Sequence, residues 1–424
     1  MVMKMFISSV VLATCFAIAG SAEGPVKPSP KRGVCANRMT LEDARALAPG
    51  VTWWYNWHHS APELPGSPLR HIPMIWGKTP KALQIIIDRC TQGKKIPEVL
   101  VLNEPNLKGQ AFLKPQEAAQ FWNQVHQQLA VPFKVRLAGP QFALGSSETD
   151  AVKAIDPISG KITTYTFMVP YFDAFLHELP PAAKPDNVGV HSYGNIHELR
   201  WLIPMLYKKY RKPIWVTEFN DWKAAGSKGM IEYLIQAVDF LERTPYVERY
   251  AWFKARMGKG NKASLLEEDQ PGKLTRLGAI YVNMPVHDPD YAIPAERLRR
   301  AEDYTQASSQ VQPALTEDND GFLDLCGLAA GAWVQYKLAI PQPTSKLKVT
   351  LRLRAVNGSR ITLRIMNASQ LQPVSIDIPA GHPGYQDVQV ELPVNGGIHD
   401  LRLAVPGNEI RLNSVRLTCL PTQS

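Results

Sequence analysis

The chain has 424 residues, which is more than one average domain needs and predicts two domains. A hydrophobic content of 45% is enough to bury a large core and excludes an intrinsically disordered protein. The net charge of +9 is distributed along the chain, and no recognised nucleic-acid-binding motif accompanies it, so we expect no nucleic-acid partner. Such a charge favours solubility and weak attraction to an anionic envelope or cell wall.

The amino terminus has the features of a secretory signal peptide. Lys4 precedes an apolar run over residues 6–20, and a Gly-Ser-Ala sequence at residues 20–22 forms a small-residue cleavage site. A membrane anchor is the alternative, but the run is shorter than the roughly 20 residues that a span requires. We therefore expect residues 1–22 to be removed, the mature protein to be secreted to the periplasm or the extracellular space, and no stable membrane span.

Four cysteines follow the signal peptide, an even number that suits an oxidising compartment. Cys326 and Cys419 lie near the two ends of the last third of the chain, and we expect them to form a disulfide. Cys35 and Cys90 are equally consistent with a second disulfide and with two buried thiols. No cysteine or histidine cluster has the spacing of a zinc site, so we expect no metal in catalysis.

From residue 31 to residue 284, short apolar runs alternate with stretches of helical periodicity. The helical pattern is clear where Ala118, Trp122 and Val125 recur at steps of three or four. Continuous apolar runs are typical of parallel strands that are buried on both faces. The eight runs cover residues 32–36, 51–57, 72–76, 99–102, 135–138, 188–191, 214–217 and 249–253. Eight such units in about 260 residues predict a (β/α)8 TIM barrel, and a doubly wound open sheet is the alternative.

The pattern changes after residue 284. Three prolines interrupt the chain, and short alternating runs follow, separated by asparagine and glycine turns. This pattern predicts a β-sandwich that is like a jelly roll. The predicted domains are therefore a catalytic barrel over residues 26–290, a linker over residues 291–298 and a sandwich over residues 299–421.

Two carboxylates lie at the carboxyl ends of predicted strands, where the active residues of a barrel are found. They are Glu104, after the fourth run, and Glu218, after the seventh. A carboxylate pair in an aromatic-lined cleft can cleave a glycosidic bond, because one protonates the leaving oxygen and the other attacks or stabilises the anomeric carbon. A single glutamate at a strand end is explained equally well as a helix cap or an ion-pair partner, but two in aromatic surroundings favour catalysis.

Polar and aromatic residues at the same strand ends are candidates for binding a sugar. Flat rings pack on the C–H faces of a sugar, and amides or imidazoles bind its hydroxyl groups. Core packing is the alternative for each of them. The candidates are Tyr55, Asn56, Trp57, Trp76, Asn103, His191, Tyr193 and Trp252.

Eight motifs together resemble glycoside hydrolase family 128, whose members are retaining clan A enzymes that hydrolyse β-1,3-glucan. In chain order they are KRGVCAN, VTWWYNW, HIPMIWG, VLNEPN, QEAAQFW, VGVHSYG, KPIWVTEFN and YVERYAWF. The resemblance implies that Glu104 is the general acid/base, that Glu218 is the nucleophile about 5 Å away, and that Trp252 is the floor beneath the cleaved sugar. It implies no catalytic cofactor. The chain departs from the family at Asn106, where aspartate is more usual, and in a longer fifth loop over residues 146–164.

The last third of the chain resembles a family 6 carbohydrate-binding module. The motifs are AEDY, DNDGFLDL, AGAWVQYKLAIP and IRLNSVRL, which begin at residues 301, 318, 330 and 410. The resemblance implies that Phe322 and Tyr385 sandwich a sugar and that Asn413 hydrogen-bonds to it. It also implies a structural calcium ion with Glu302 as a ligand. Packing inside the sandwich is the alternative for the aromatic residues.

The sequence therefore predicts a secreted, retaining, endo-acting β-1,3-glucanase with an appended carbohydrate-binding module, which acts as a monomer on a β-glucan polysaccharide. One alternative is a clan A hydrolase for another polysaccharide. Another is a non-catalytic carbohydrate-binding protein, which the presence of both carboxylates and of Asn103 disfavours.

Overall fold

A computed structural model describes residues 27–368 and 370–420. The predicted signal peptide, residues 1–22, lies outside the described residues. A first region alternates strands and helices, and a second region is built from strands. Among the described residues, no helix combines the length and the apolar character that crossing a bilayer requires. The prediction of a mixed α/β region followed by a sheet-rich region is confirmed.

The first region contains strands β1 to β12 and helices α1 to α8. The strands are β1 (Arg32–Cys35), β2 (Trp53–Tyr55), β3 (Arg70–His71), β4 (Met74–Ile75), β5 (Glu98–Val101), β6 (Arg136–Ala138), β7 (Gln141–Ala143), β8 (Val152–Ile155), β9 (Ile162–Tyr165), β10 (Val188–Ser192), β11 (Ile214–Phe219) and β12 (Val247–Trp252). The helices are α1 (Leu41–Leu47), α2 (Pro80–Thr91), α3 (Pro115–Val125), α4 (Val131–Phe133), α5 (Met168–His177), α6 (Ile196–Tyr210), α7 (Gly226–Arg243) and α8 (Arg276–Asn283).

Two parallel sheets carry the first region. The larger has the order β3-β2-β1-β12-β11-β10-β7, and the smaller has the order β4-β5-β6. Asn103, just beyond β5, forms a parallel bridge to Gln141 of β7 and so links the two sheets at one edge. At the other edge, the main-chain amide of Met74 donates to the carbonyl of His58 at 2.9 Å.

One apolar cluster contains side chains from both sheets. Trp53, Tyr55 and Trp215 belong to the larger sheet, and Met74 and Leu100 belong to the smaller. The opposite faces pack against the helices. Because a strand that is covered on both faces must be apolar on both faces, the continuous apolar runs of the sequence correspond to these buried strands.

Helix α3 shows how the local sequence positions a helix against the sheet. It begins at Pro115, whose fixed φ suits the first helical position. The Glu117 side chain accepts a hydrogen bond from the Lys114 main-chain amide at 3.0 Å. Trp122 on the buried face packs in the core and donates from Nε1 to the carbonyl of Ala183 at 2.7 Å.

The second region consists of two mainly antiparallel sheets. One has the order β13-β18-β23-β20-β21 with β15 beside β18, and the other has the order β16-β17-β24-β19-β22 with β14 beside β24. The strands are β13 (Ile293–Pro294), β14 (Arg299–Arg300), β15 (Gln306–Ala307), β16 (Gln312–Leu315), β17 (Leu323–Leu328), β18 (Ala332–Ile340), β19 (Lys346–Arg354), β20 (Ser359–Ile365), β21 (Val374–Ile378), β22 (Gln386–Pro393), β23 (Gly397–Val405) and β24 (Ile410–Leu420).

The two sheets of the second region share one core. Along β19, buried residues alternate with partly exposed ones, which is the period of a strand with one covered face. Side chains of β19 and β24 lie in the same apolar cluster as side chains of β18 and β23. Strand β13 lies within the predicted linker, residues 291–298, and pairs with β18, so the linker contributes to the sheet.

The predicted disulfide between Cys326 and Cys419 is wrong, because all four described cysteines are free. The register explains why. Leu325, next to Cys326, pairs with Leu412 of β24, and Cys419 lies seven residues further along that strand. At about 3.3 Å per residue this is a separation of roughly 20 Å, whereas a disulfide needs Cα atoms about 4.4–6.8 Å apart. Cys35 and Cys90 are likewise unpaired.

The two regions share an interface. Leu315, Phe322 and Leu323 of the second region pack against the apolar core of the first. The hydroxyl of Tyr304 donates to Oδ1 of Asp239 in α7 at 3.0 Å. The strand-rich region is therefore docked on the first region rather than only tethered to it.

A buried arginine ties the beginning of the first region to its end. Arg32 in β1 is fully buried, and its Nη2 donates to Oε1 of Glu242 in α7 at 2.8 Å. Its Nε donates to the hydroxyl of Tyr250 at 2.8 Å, and both Nη atoms reach main-chain carbonyls at the end of α8 and just beyond it. The first strand and the last two helices are thus held by one guanidinium group.

We expect Arg32→Met to lower the free energy of unfolding by about 3–5 kcal/mol, because Glu242 would keep a buried charge without its partner. Urea denaturation followed by tryptophan fluorescence measures the change. The double variant Arg32→Met, Glu242→Met should recover much of the loss, since neither charge then remains buried. Equal stability of the single and double variants would contradict this account of the ion pair.

Candidate active site

The turn after β5 presents Glu104 with an uncommon backbone. Both Leu102 and Glu104 have left-handed φ angles, 62° and 43°. Residues with a Cβ rarely adopt this conformation, and the surrounding structure must hold them in it. Two hydrogen bonds do so here: the Glu104 amide donates to the Gln141 carbonyl at 2.6 Å, and the Gln141 amide donates to the Leu102 carbonyl at 2.9 Å.

Glu218 projects from the larger sheet, near the end of β11, where its register partner is His191 of β10. Three side chains donate to its carboxylate. Trp57 Nε1 and the Tyr55 hydroxyl lie 2.7 and 3.1 Å from Oε1, and the Tyr193 hydroxyl donates to Oε2. Donors on both oxygens fix the orientation of this carboxylate in the cleft.

His191 lies between the two carboxyl groups. Its Nδ1 is 2.7 Å from Oε1 of Glu104 and 3.5 Å from Oε2 of Glu218. All three side chains are buried, and one nitrogen or oxygen atom of each lies within 4.8 Å of the others. Burial acts to lower the pKa of His191, but the charge of Glu218 and the contact with Glu104 outweigh it and raise that pKa. The geometry therefore favours a positive charge between two acidic groups.

The two tyrosines beside Glu218 remain protonated at neutral pH. Burial, reinforced by the charge of Glu218, raises the pKa of Tyr193 well above 10. Burial together with the neighbouring Cys35 and Glu218 does the same to the pKa of Tyr55. Both phenols are therefore hydrogen-bond donors to Glu218.

The two carboxyl groups open into a cleft with a cavity volume of about 1280 Å³. Five of the sequence-predicted substrate-binding residues line it. They are Trp57, Trp76, Asn103, His191 and Tyr193. In the described part of the chain, Oδ1 of Asn103 is buried without a hydrogen-bond partner, while its Nδ2 donates to Oε1 of Gln110 at 3.0 Å.

The other three predicted residues lie behind the cleft. Tyr55 is fully buried, and its hydroxyl donates to Oε1 of Glu218 at 3.1 Å. Asn56 donates to the carbonyl of Ser60 at 3.0 Å and lies 2.9 Å from Nε2 of His71, so it holds the loop that follows β2.

The structure corrects the expected position of Trp252. Its side chain is fully buried, packs on Phe219 with ring centroids 5.2 Å apart, and donates from Nε1 to the carbonyl of Ala263 at 2.8 Å. The ring that lines the cleft at the end of this strand belongs to Phe253. Successive residues along an extended chain point to opposite sides, and the sequence assigned the wrong member of the pair to the cleft.

Trp222 is a cleft residue that the sequence reasoning missed. Its ring is 44% exposed and stacks on Tyr193 with centroids 5.3 Å apart and an interplanar angle of 20°. It lies four residues after Glu218 and three residues beyond the end of β11. The sequence pattern indicated only the residues at the strand ends themselves, so it did not predict Trp222. The other missed residues that line the cleft include Asn37, Gln110, Glu198, Asp221, Lys223 and Lys254.

The predicted sugar-binding residues of the second region have different surroundings. Phe322 is partly buried in the interface with the first region. The Tyr385 hydroxyl donates to Asp324 in β17. Asn413 is fully buried and donates from Nδ2 to the Asp320 carbonyl at 2.8 Å. Tyr385 and Asn413 therefore both bond to the segment that leads into β17, whereas Phe322 packs against the first region.

Glu302 is a fully buried carboxyl group with one oxygen, Oε2, that has no partner among the described residues. Burial, with the nearby charge of Asp303, raises its pKa to about 8. An unsatisfied buried carboxylate oxygen is a ligand of the type that calcium prefers. Calcium at Glu302 stays a prediction, because among the described residues the acidic or histidine side chains that lie close enough together to hold an ion are Glu104, His191 and Glu218.

Comparison with known proteins identifies relatives of the first region. Residues 33–281 match the family model described as glycosyl hydrolase catalytic core. The subgroup II endo-β-1,3-glucanase of glycoside hydrolase family 128 from Sorangium cellulosum is 29% identical, with 61% of this chain and 100% of that chain covered and a TM-score of 0.50. The corresponding enzyme from Pseudomonas viridiflava is 29% identical, with 61% and 99% covered and a TM-score of 0.49. Curated proteins gave no significant match.

Trp252 and Phe253 provide a matched test of which ring serves the cleft. We expect Trp252→Ala to destabilise the protein by about 3–5 kcal/mol, because it empties a large buried volume. Phe253→Ala should leave the melting temperature within a few degrees of wild type and lower kcat/KM on a polysaccharide substrate. Melting temperature and kcat/KM are measured for both variants. The reverse result, a stable Trp252→Ala with low activity, would return Trp252 to the substrate face.

Proposed function

The chain belongs to the glycosyl hydrolase catalytic core family, and from this premise we propose that it hydrolyses β-1,3-glucan. The observation that carries the proposal is the pair of buried glutamates, Glu104 and Glu218, which face each other in an aromatic-lined cleft with carboxylate oxygens within 4.8 Å. The Sorangium cellulosum structure, which is aligned over its whole length, is that of an endo-β-1,3-glucanase. This similarity supports the choice of substrate and endo action.

We propose a retaining mechanism on the basis of this separation. Retaining glycosidases place their carboxyl groups about 5–5.5 Å apart, whereas inverting enzymes leave about 6.5–9.5 Å for a water molecule. In the first step Glu218 attacks the anomeric carbon while Glu104 protonates the departing glycosidic oxygen. In the second step Glu104 takes a proton from water, whose oxygen displaces Glu218 from the anomeric carbon and releases the sugar.

The surroundings of each glutamate suit these roles. Three donors hold the carboxylate of Glu218, the proposed attacking group, in one orientation. Aromatic rings at the cleft wall, Trp57, Trp222 and Phe253, can pack on the C–H faces of glucose units. Polar side chains that line the cleft, among them Gln110 and Lys223, can supply directional contacts to the hydroxyl groups of a sugar.

We also propose that the two parallel sheets of the first region form a (β/α)8 barrel. The bridge from Asn103 to Gln141, the hydrogen bond from Met74 to His58 and the apolar cluster common to both sheets support this closure. For the second region we propose a β-sandwich of the jelly-roll type, which the shared core of its two sheets supports.

For the second region we propose a carbohydrate-binding role, with the partly exposed Tyr385 ring as its main contact, the buried Asn413 holding the segment beside it, and calcium bound near Glu302. The signal-peptide pattern over residues 1–22 supports secretion, and we propose that the secreted enzyme is a monomer.

The test of function is reducing-sugar release from laminarin, xylan, mannan and carboxymethylcellulose. We expect release from laminarin alone, and we expect Glu218→Gln to reduce it by at least about a thousandfold, because an amide cannot form the covalent intermediate. Glu391→Gln, at an exposed glutamate of β22, is the matched control and should retain full activity. Release from another polysaccharide, or binding without release, would refute the proposed substrate or the catalytic role.

The configuration of the first product formed reports the mechanism separately. Proton NMR of a fresh digest should show the β-anomer first, before mutarotation. The α-anomer would exclude retention and leave the substrate assignment standing.

The pH dependence of stability tests Glu302 and calcium together. With a pKa of about 8 in the folded protein and about 4.3 when unfolded, the side chain binds a proton more tightly in the folded state. In EDTA, stability should therefore fall as the pH rises from 4.3 to 8, by up to about 1.4 kcal/mol per pH unit.

Melting temperatures at pH 5 and pH 8 in EDTA and in calcium chloride measure the effect. Glu302→Gln should remove the part of the pH dependence that this group causes. Calcium should raise the melting temperature of wild type at pH 8 and leave the Gln variant unchanged. No response of wild type to calcium would contradict an ion at Glu302.

A further inference from the structure

A chain of hydrogen bonds runs behind His191, away from the cleft. Nε2 of His191 lies 3.1 Å from Oγ1 of Thr217, Oγ1 of Thr217 lies 2.8 Å from Oε1 of Gln141, and Nε2 of Gln141 lies 2.9 Å from the carbonyl of Ala138. His191, Thr217 and Gln141 are all buried. The main chain of Gln141 helps to hold the Glu104 turn, but none of the roles assigned above to the cleft uses the side chain of Thr217 or of Gln141.

We propose that Gln141 and Thr217 are positioning residues that fix a proton on Nε2 of His191, and thereby keep the ring doubly protonated and control the ionisation of Glu104 and Glu218. This inference rests on the proposed hydrolysis for its kinetic readout. Its direct readout, the protonation of one histidine, does not depend on any activity.

The last acceptor in this series of hydrogen bonds, the carbonyl of Ala138, determines which group donates in each of them. The carbonyl of Ala138 can only accept a hydrogen bond, so the Gln141 side chain must turn its NH2 group toward Ala138. The Gln141 oxygen then faces Thr217. Gly189 in β10, the register partner of Gln141, leaves room for this arrangement, because a Cβ at Gly189 would lie 2.3 Å from that oxygen.

The orientation of Gln141 determines the proton on His191. Thr217 has one hydroxyl hydrogen, and it is donated to the Gln141 oxygen. Toward His191 the same hydroxyl can therefore only accept, so Nε2 of His191 must carry a hydrogen. A neutral ring would then have a lone pair on Nδ1.

The contact with Glu104 requires a second proton. Nδ1 lies 2.7 Å from Oε1 of Glu104, and two lone pairs would repel at that distance. A proton must lie between these atoms. The negative charge of Glu218, whose Oε2 is 3.5 Å from Nδ1, favours placing it on the ring, and the upward shift in the pKa of His191 agrees.

A doubly protonated His191 directs the catalytic proton. Because Nδ1–H donates to Oε1 of Glu104, the proton that Glu104 gives to the glycosidic oxygen must be carried on Oε2. After that transfer, the positive ring stabilises the new carboxylate, which later takes a proton from water at the same Oε2. His191 keeps both of its own protons through both steps.

The ring also influences the ionisation of the whole cleft, together with the other charged or titratable groups that face this cluster. Those groups are Cys35, Tyr55, Tyr193, Glu198, Glu218, Asp221, Lys223 and Lys254, with Glu104 in direct contact. Loss of the acceptor at Nε2 disfavours the doubly protonated ring, because a buried N–H would be left without a partner. Both carboxyl groups would then retain protons to higher pH.

The test compares Thr217→Val, which removes the hydroxyl at constant shape, with Thr217→Ser, which retains it. In the full-length protein, kcat/KM on laminarin is measured against pH. We expect the Val variant to move both limbs of the profile to higher pH by about one unit or more, since Glu218 must be ionised and Glu104 protonated. The Ser variant should keep the wild-type profile.

A purely structural role for Thr217 would lower the melting temperature or kcat and leave both limbs in place, and that result would overturn the proposal. Imidazole ¹⁵N NMR of wild type tests the proton directly, with His191→Gln to assign the signal. We expect both ring nitrogens of His191 to be protonated at pH 6–7. A neutral ring with a bare Nε2 would overturn the proposal even if the protein hydrolysed no glucan or the Val variant failed to fold.

Discussion

The cleft depends on a single electrostatic constraint, the closeness of two buried carboxyl groups. With oxygens within 4.8 Å, full ionisation of both would cost about 3–4 kcal/mol in repulsion at an effective dielectric constant of about 20. The proposed retaining chemistry nevertheless needs them this close, because in it one group attacks the carbon whose oxygen the other protonates. His191 between them, and three donors around Glu218, offset this repulsion.

The scaffold places these groups through local backbone strain at the ends of strands. Trp57, Leu102 and Glu104 all have left-handed φ angles, and all three lie where a strand of the first region has just ended. Such conformations cost of order 1–3 kcal/mol each, so the rest of the fold must supply stability. The buried ion pair of Arg32 and Glu242, which joins β1 to α7, is one contact that contributes such stability.

The sequence was sufficient to predict that Glu104 and Glu218 lie together in one cleft, because both follow continuous apolar runs and the carboxyl ends of parallel strands meet at the same edge. It was not sufficient to predict which way a side chain points, or how two strands that are distant in sequence pair. Trp252 and Phe253 are adjacent in sequence, and which of the two rings faces the cleft depends on the residue at which β12 ends. Cys326 and Cys419 are close to the ends of their region in sequence, but the pairing of β17 with β24 keeps them apart. In the sequence, Thr217 is simply one residue of a buried strand, so its hydrogen bond with His191 could not be predicted.

The docking of the second region limits how it can bind a sugar. Phe322 packs against the core of the first region together with Leu323, so its ring is not available to stack on a glucose unit from both sides. Tyr385 and Asn413 are free of that interface, but the Tyr385 hydroxyl and the Asn413 amide already bond to the segment around Asp324. Asn413 is itself fully buried, so a sugar bound there would meet the Tyr385 ring rather than an aromatic sandwich. If the second region binds a sugar as proposed, its contacts with the first region would hold that sugar in one orientation relative to the cleft, instead of tethering the enzyme loosely to its substrate.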